Sequence, residues 1–194
     1  QAGKSACVSS HSMCLGGIGV TGTYASNHIA KDADVVIAIG SRLSDFTTSS
    51  KRLYKHPGVK FVTINNCRFH AYKMDAVKAV GDAKVTVQAL GSKLRAKGYK
   101  SAYTNEITYA KAVWAKEMER LGSIEYTGDD FDPIIKARDP RTVPEFVKLT
   151  NGKITQTAAL AAIRRVIDKD ATIITAGGSL PSCMQRMWTT DKRG

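Results

Sequence analysis

Short apolar runs alternate with segments of helical periodicity in the first part of the chain. Three runs predict strands by their length and β-branched content: residues 35–39, 61–65 and 79–80. The first run is continuously apolar, which favours a strand buried on both faces of a parallel sheet. Helical segments precede and follow these runs at residues 23–31 and 84–97, and Gly98 stands where a helix C-terminal glycine is expected. The alternation predicts a parallel α/β sheet with right-handed crossovers.

A different pattern follows. Residues 105–121 predict the strongest helix, whose apolar face carries Ile107, Ala110, Trp114, Met118 and Leu121. Residues 122–152 combine prolines, mixed charge and few apolar positions, which is typical of a linker. Residues 154–168 predict another helix, and residues 171–176 predict a strand that ends at a Gly-Gly-Ser turn. We therefore predict three parts: a domain over 1–121, a linker over 122–152 and the beginning of a second α/β domain over 153–194.

The amount and distribution of charge indicate which kinds of partner the chain can bind. The chain has 29 lysines and arginines against 17 acidic residues, a formal net charge of +12. The positive residues are spread out, and few aromatic side chains lie among them to stack bases, so we expect no nucleic-acid partner. A solvated basic surface, or one that balances acidic partner segments, explains the charge. No apolar run approaches the roughly 18 residues that a membrane-spanning helix needs, so no membrane association is expected.

The four cysteines form no C-x-x-C pair. Cys7, His11 and Cys14 are close in sequence, but no fourth ligand is evident, and no metal site is predicted. Reduced thiols are the default in the cytosol, and we predict a cytoplasmic protein.

Three glycine-rich segments are candidate ligand sites. The first, residues 17–22, fits G-x-G-x-x-G, yet no clear strand precedes it and the next strand does not end at an acidic residue. We therefore favour a turn that serves packing or another ligand over ordinary NAD binding. The second, Gly40-Ser41-Arg42, follows a predicted strand at the edge where α/β sheets bind ligands. Arg42 can hold a phosphate or carboxylate there, or pair with Asp45 on the surface.

The third segment, Gly177-Gly178-Ser179, lies at the end of the last predicted strand. Its backbone amides and hydroxyl can cradle a phosphate, and a simple strand-terminal turn is the alternative.

These segments, in their order, resemble thiamine-diphosphate-dependent enzymes of the acetolactate synthase type, and among them the inositol-catabolic trihydroxycyclohexane-1,2-dione hydrolases. The residues that carry the resemblance are 1–6, His11, 16–23, 33–48, 73–76, 98–103, 176–181 and 185–188. The resemblance implies that 1–121 is a central Rossmann-like domain lacking its first strand, and that 153–194 opens the diphosphate-binding domain. It implies a thiamine-dependent hydrolase that cleaves a ring C–C bond of a cyclic 1,2-dione, a small-molecule substrate.

The resemblance also implies cofactors and sites. Thiamine diphosphate and Mg²⁺ would serve the full-length enzyme, a homo-oligomer. The segment near thiamine diphosphate comprises Gly177, Gly178, Ser179 and Leu180. No catalytic residue and no metal ligand is expected in this chain, because the family's activating glutamate and metal motif fall elsewhere. The chain alone is therefore expected to be inactive.

Flavin-containing relatives grip FAD with regions that match five positions of this chain: Gly19, Gly22, Thr23, Gly40 and Arg42. These residues would bind a ligand only if a nucleotide is present. FAD is not expected, because Asn65-Asn66 stand where flavin-binding relatives carry an acidic residue. Two alternatives stay open: a carboligase or decarboxylase of the acetolactate synthase type, and a non-catalytic module that binds FAD or another nucleotide.

Overall fold

The computed structural model describes most of the first 124 residues and much of the C-terminal part of the 194-residue chain. The described residues are 3–124, 139–141, 144–145, 148–149, 154–168 and 170–190. Most of the predicted linker over 122–152 therefore lies outside the described residues. Within them, no helix is long and apolar enough to cross a membrane.

Three parallel strands form the sheet, in the order β1-β2-β3. They are β1 (Val35–Ile39), β2 (Lys60–Asn65) and β3 (Val77–Val80). The register pairs Ile37 with Val62 and Ile64 with Ala79. This arrangement confirms the predicted parallel α/β sheet with flanking helices, and β-branched residues supply much of each strand because they fit a pleated surface.

The central strand carries the core. Phe61, Thr63, Ile64 and Asn65 of β2 are all buried. The short helix α3 (Arg68–Ala71) covers the Thr63 face, and the Thr63 hydroxyl donates a 2.6 Å hydrogen bond to the Ala71 carbonyl. The buried polar side chain is thereby satisfied, as burial requires.

The prediction that β1 is buried on both faces is wrong for the described chain. Ala38 is only 7% exposed, whereas Val35, Ile37 and Ile39 are 44–50% exposed. Alternate side chains of a strand point to opposite faces, so these three share one open face. The sequence pattern is apolar throughout, but β1 is the edge strand of the described sheet and only one of its faces is covered.

Two helices flank the glycine-rich loop and the sheet. Helix α1 (Tyr24–Lys31) begins after Thr23, whose hydroxyl accepts a 3.0 Å hydrogen bond from the Ser26 amide as an N-cap. Helix α2 (Asp45–Thr48) is a single turn after β1.

Helix α4 (Ala83–Ala96) ends as the sequence predicts. Gly98 has φ +64°, and its amide donates to the Arg95 carbonyl at 2.9 Å. The Tyr99 amide donates to the Leu94 carbonyl at 3.0 Å. This pair of bonds is the Schellman motif, in which glycine tolerates the left-handed conformation.

Helices α5 (Asn105–Ser123), α6 (Gln156–Val166) and α7 (Ser179–Met187) form a packed series. Helix α5 packs against α1 through a face that buries Ile107 and Ala110, and α6 packs against both α5 and α7. The predicted strand over 171–176 is wrong: these residues are not paired in a sheet, and Ile174 is 90% exposed. Its β-propensity is unmet because a strand needs a hydrogen-bonding neighbour, and no described strand lies beside it.

Tyr54 offers a direct test of the core beside β2. Its ring packs edge to face on Phe61 with centroids 5.0 Å apart, and burial raises the pKa of its hydroxyl. The neutral phenol is therefore favoured in the folded state. This contribution to stability is complete below the usual tyrosine pKa of about 10 and is lost as pH rises through the higher folded value.

An alkaline titration followed by tyrosinate absorbance should show a late component that the Tyr54→Phe variant lacks. The exposed Tyr99 provides the matched control, since Tyr99→Phe should leave that component in place. An unchanged titration curve for Tyr54→Phe would contradict the described burial.

Candidate functional site

The segment 177–180 forms the N-terminal end of α7. Gly178 is the N-cap residue with φ +132°, and Ser179 is the first helical residue. No side chain caps the first amides, and the first turn contains no acidic residue. Ser179 and Leu180 are exposed. A helix start with uncapped amides and no carboxylate favours an anion, so this donor set fits a diphosphate.

The two glycines of this segment have different reasons to be glycine. Gly178 has a backbone conformation that L-residues rarely adopt. Gly177 has no such conformation, and a Cβ added there would meet nothing within 4 Å. The fold of the described chain therefore explains Gly178, whereas Gly177 leaves open space above the backbone beside the uncapped amides.

The glycine-rich loop before α1 is packed against α2. Its amides are largely engaged within the protein: Gly19 donates to Asn27 Oδ1 at 2.9 Å, and Val20 donates to the Phe46 carbonyl at 2.8 Å. The Gly22 and Thr23 amides donate to carbonyls of the same loop at 3.0 and 2.9 Å. These bonds favour the packing interpretation of the loop, because amides already paired are poor phosphate donors.

Close contacts require the loop glycines. A Cβ at Gly19 would lie 2.0 Å from the Phe46 carbonyl oxygen, and φ at this position is +95°. A Cβ at Gly22 would lie 2.7 Å from the Gly17 carbonyl oxygen. The approach of backbone to backbone thus accounts for the second and third glycines of the motif, Gly19 and Gly22, whereas a Cβ at Gly17 would meet nothing within 4 Å.

Gly40 and Arg42 lie at the carboxyl end of β1. Gly40 has φ +62° and extends the strand pairing, since its amide donates to the Ile64 carbonyl at 2.8 Å. Arg42 is exposed, and its carbonyl accepts a 3.0 Å hydrogen bond from Lys73 Nζ. No ion pair joins Arg42 to Asp45 in the part of the chain that the structure describes. Its guanidinium therefore faces solvent at the ligand edge of the sheet.

Asn65 has a structural task at the same edge. Its Nδ2 donates to the Ser41 carbonyl at 3.1 Å, and its Oδ1 accepts from the Cys67 amide at 3.0 Å. The side chain is 5% exposed and ties the end of β2 to the loop after β1. Asn65 has no carboxylate, and its amide is already bonded to the backbone. It therefore does not replace the acidic residue that binds the ribose in a flavin site.

A basic and aromatic depression next to this edge was not predicted from the sequence. It is a shallow depression, open to solvent, of about 510 Å³ that is lined by Arg68, Phe69, Tyr72 and Lys73. Lys73 Nζ lies 5.5 Å from the centroid of Phe69, a ring that is 73% exposed. The interleaving of cations and aromatics over 68–73 is the signal that could have revealed it. Such a surface can bind an anionic, planar molecule.

The far end of α7 is tied to the N-terminal segment. Lys4 Nζ donates to the Gln185 carbonyl, one of the last carbonyls of α7, where a cation is favourable. Burial, with repulsion from Arg164, lowers the pKa of this amine. Ser9 and Thr190 add a reciprocal pair: each backbone amide donates across the junction at 2.9 Å. The helix that carries the predicted cofactor segment is thus anchored to the first residues of the chain.

Gly19→Ala tests the packing role of the glycine loop. The variant should lose about 2–5 kcal/mol of unfolding free energy, because the methyl group meets the Phe46 carbonyl and the backbone is strained. Gly17→Ala is the control: a Cβ there would meet nothing within 4 Å, so its loss should stay within about 1 kcal/mol. Urea unfolding followed by circular dichroism measures both, and equal losses would refute the packing argument.

Residues 1–90 match the family model described as "Thiamine pyrophosphate enzyme, central domain". The chain is 55% identical over 193 residues, its whole length, to a 3D-(3,5/4)-trihydroxycyclohexane-1,2-dione hydrolase of Clostridium perfringens. Hydrolases of the same name from Clostridium botulinum and Bacillus cereus are 55% and 49% identical over 98% and 99% of the chain.

The chain spans about 30% of the length of each of these curated relatives. The family resemblance drawn from the sequence is confirmed, and with it the Rossmann-like character of the parallel sheet. Residues 1–90 are thus similar to the central domain of the thiamine pyrophosphate enzymes, and the chain over its whole length is similar to the trihydroxycyclohexanedione hydrolases.

Proposed function

We propose that this chain is part of a thiamine-diphosphate-dependent hydrolase that cleaves a ring C–C bond of a cyclic 1,2-dione in inositol catabolism. The observation that carries the proposal is the 55% identity, along the whole chain, to proteins named as that hydrolase. The uncapped N-terminal end of α7 supports it, because that end offers amides and a hydroxyl to a diphosphate.

In this proposal Gly177, Gly178, Ser179 and Leu180 hold the diphosphate end of the cofactor. Thiamine diphosphate, when bound, supplies the carbanion chemistry that cleavage beside a carbonyl needs. This chain binds and orients: the amides at the start of α7 neutralise negative charge, and the Ser179 hydroxyl adds a donor. Mg²⁺ accompanies the cofactor, and its ligands are assigned to residues outside this chain.

The remainder of the chain has an architectural part in the proposal. The domain over 1–121 presents its loops to the segment 153–194, the beginning of the diphosphate-binding domain, across the linker 122–152. Arg186 of α7 donates a 3.2 Å hydrogen bond to the Val20 carbonyl, which supports a contact between these two parts. The full-length enzyme is proposed to be a cytoplasmic homo-oligomer, and the chain alone to be inactive.

One observation favours a second function, the binding of a nucleotide without catalysis. The depression beside α3 combines two cations with two exposed aromatic rings, and the Arg42 guanidinium lies at the same edge of the sheet. A phosphate and a base would suit these groups. FAD itself is disfavoured because the Asn65 amide is committed to backbone partners.

Turnover by the full-length protein tests the main proposal. Removal of thiamine diphosphate and Mg²⁺ by chelation and dialysis should abolish consumption of the trihydroxycyclohexanedione, and their return should restore it. Chromatography of the ring-opened acid measures the product. Formation of acetolactate from pyruvate, with no attack on the dione, would favour the carboligase instead. Tight binding of a nucleotide with no turnover of either substrate would favour the binding module.

Gly177→Ala tests where the diphosphate lies. The fold should tolerate this change, because a Cβ at Gly177 meets nothing within 4 Å. A methyl group beside the uncapped amides should hinder a bound diphosphate and raise the Kd for thiamine diphosphate about tenfold or more. Calorimetric titration of the full-length protein gives the Kd, and thermal unfolding without cofactor gives the stability. An unaltered Kd would remove Gly177 from the binding segment.

A further inference from the structure

The side chain of Gln156 spans from α6 to the first turn of α7. Its Nε2 donates to Ser179 Oγ at 3.3 Å, and its Oε1 accepts from Cys183 Sγ at 3.6 Å. Ser179 and Cys183 are four residues apart on one helix, so they share a face of α7. A single amide therefore contacts two successive turns at the end of α7 where the cofactor segment lies.

The backbone around Gln156 is held in place from both sides. Thr155 accepts a 3.2 Å hydrogen bond from the Ala158 amide as the N-cap of α6. Thr157 Oγ1 donates to the Leu121 carbonyl near the end of α5 at 2.7 Å. Because Gln156 lies between these two anchors, its side chain transmits the position of α5 and α6 to the start of α7.

Stability alone gives a weak reason for this arrangement. Gln156 and Ser179 are exposed, and a hydrogen bond between exposed groups contributes little to the free energy of unfolding. The bond has a larger consequence for the Ser179 hydroxyl. With Gln156 Nε2 donating to its oxygen, the Ser179 hydroxyl hydrogen is free to point towards another acceptor.

We infer that Gln156 is a positioning residue for cofactor binding, which orients Ser179 and aims its hydroxyl hydrogen at the diphosphate. The inference rests on the proposed function, since it takes thiamine diphosphate as the ligand at Ser179. A positioning residue of this kind acts without contacting the ligand. Its effect therefore passes entirely through Ser179, and this dependence can be measured.

A double-mutant cycle on the full-length protein tests the inference, with the Kd for thiamine diphosphate in the presence of Mg²⁺ as the readout. Gln156→Ala should raise the Kd about three- to tenfold, the size of one oriented hydrogen bond. Ser179→Ala should raise it at least as much. The double variant should match Ser179→Ala alone, because removal of the hydroxyl leaves nothing for Gln156 to orient.

Gln88→Ala is the matched control, because Gln88 is an exposed glutamine on α4. Gln88→Ala should leave the Kd unchanged, and both glutamine variants should keep the thermal unfolding midpoint of the unaltered protein. A Kd for Gln156→Ala equal to that of the unaltered protein would overturn the inference while the proposed function stands. Additive effects in the double variant would do the same. Failure of the unaltered protein to bind thiamine diphosphate would overturn both.

Discussion

The parallel pairing of β2 with strands on both sides is the constraint on which the rest of the structure depends. The pairing continues beyond the strand ends: the Lys60 amide donates to Asp34, Gly40 to Ile64 and Gly81 to Asn65, at 2.8–3.1 Å. The Lys60 bond lies at the amino edge of the sheet, and the bonds of Gly40 and Gly81 hold the loops that leave the carboxyl edge. Arg42, Asn65 and Lys73 meet there because the strands are parallel and in register. An antiparallel strand would have sent one of these loops to the opposite edge.

Backbone packing at the glycine loop depends on this edge. Helix α2 begins a few residues after β1, so the sheet sets the position of the Phe46 carbonyl that accepts the Val20 amide. The loop can approach this carbonyl only because Gly19 has no side chain. The G-x-G-x-x-G motif binds pyrophosphate in other folds, but here it allows two backbone segments to pack closely. The spacing of the glycines is the same, and the groups that the loop contacts are different.

Sequence patterns correctly predicted the elements whose formation depends on neighbouring residues in the chain. The three strands follow from β-branched runs, and the end of α4 follows from the need for a left-handed residue, which Gly98 meets. Exposure was not predictable in the same way. Whether Ile37 is covered depends on what packs beside an edge strand, and whether 171–176 pairs depends on a neighbouring strand, so neither is encoded in the local pattern.

In the candidate site, too, some features follow from the local sequence and others depend on tertiary packing. The Gly-Gly-Ser turn was found from the sequence as a phosphate-binding turn at the end of a predicted strand; the strand does not form in the described chain, and the turn instead begins α7. The contribution of Gln156 was not, because it depends on the packing of α6 against α7 across 23 residues of sequence. The basic and aromatic residues over 68–73 were visible, but only the turn after β2 places them around one depression.

The position of α7 depends on contacts with several of these elements. Gln156 contacts its first turn, Arg186 reaches the Val20 carbonyl of the glycine loop, and Lys4 donates to the Gln185 carbonyl near its end. The three contacts come from different parts of the chain, and each depends on an element already fixed by packing. A short nine-residue helix has little stability of its own, so its orientation must be imposed by such contacts. The glycine loop, whose own amides are largely paired, therefore contacts the helix that carries the predicted cofactor segment through its Val20 carbonyl, and this contact requires no ligand in the loop.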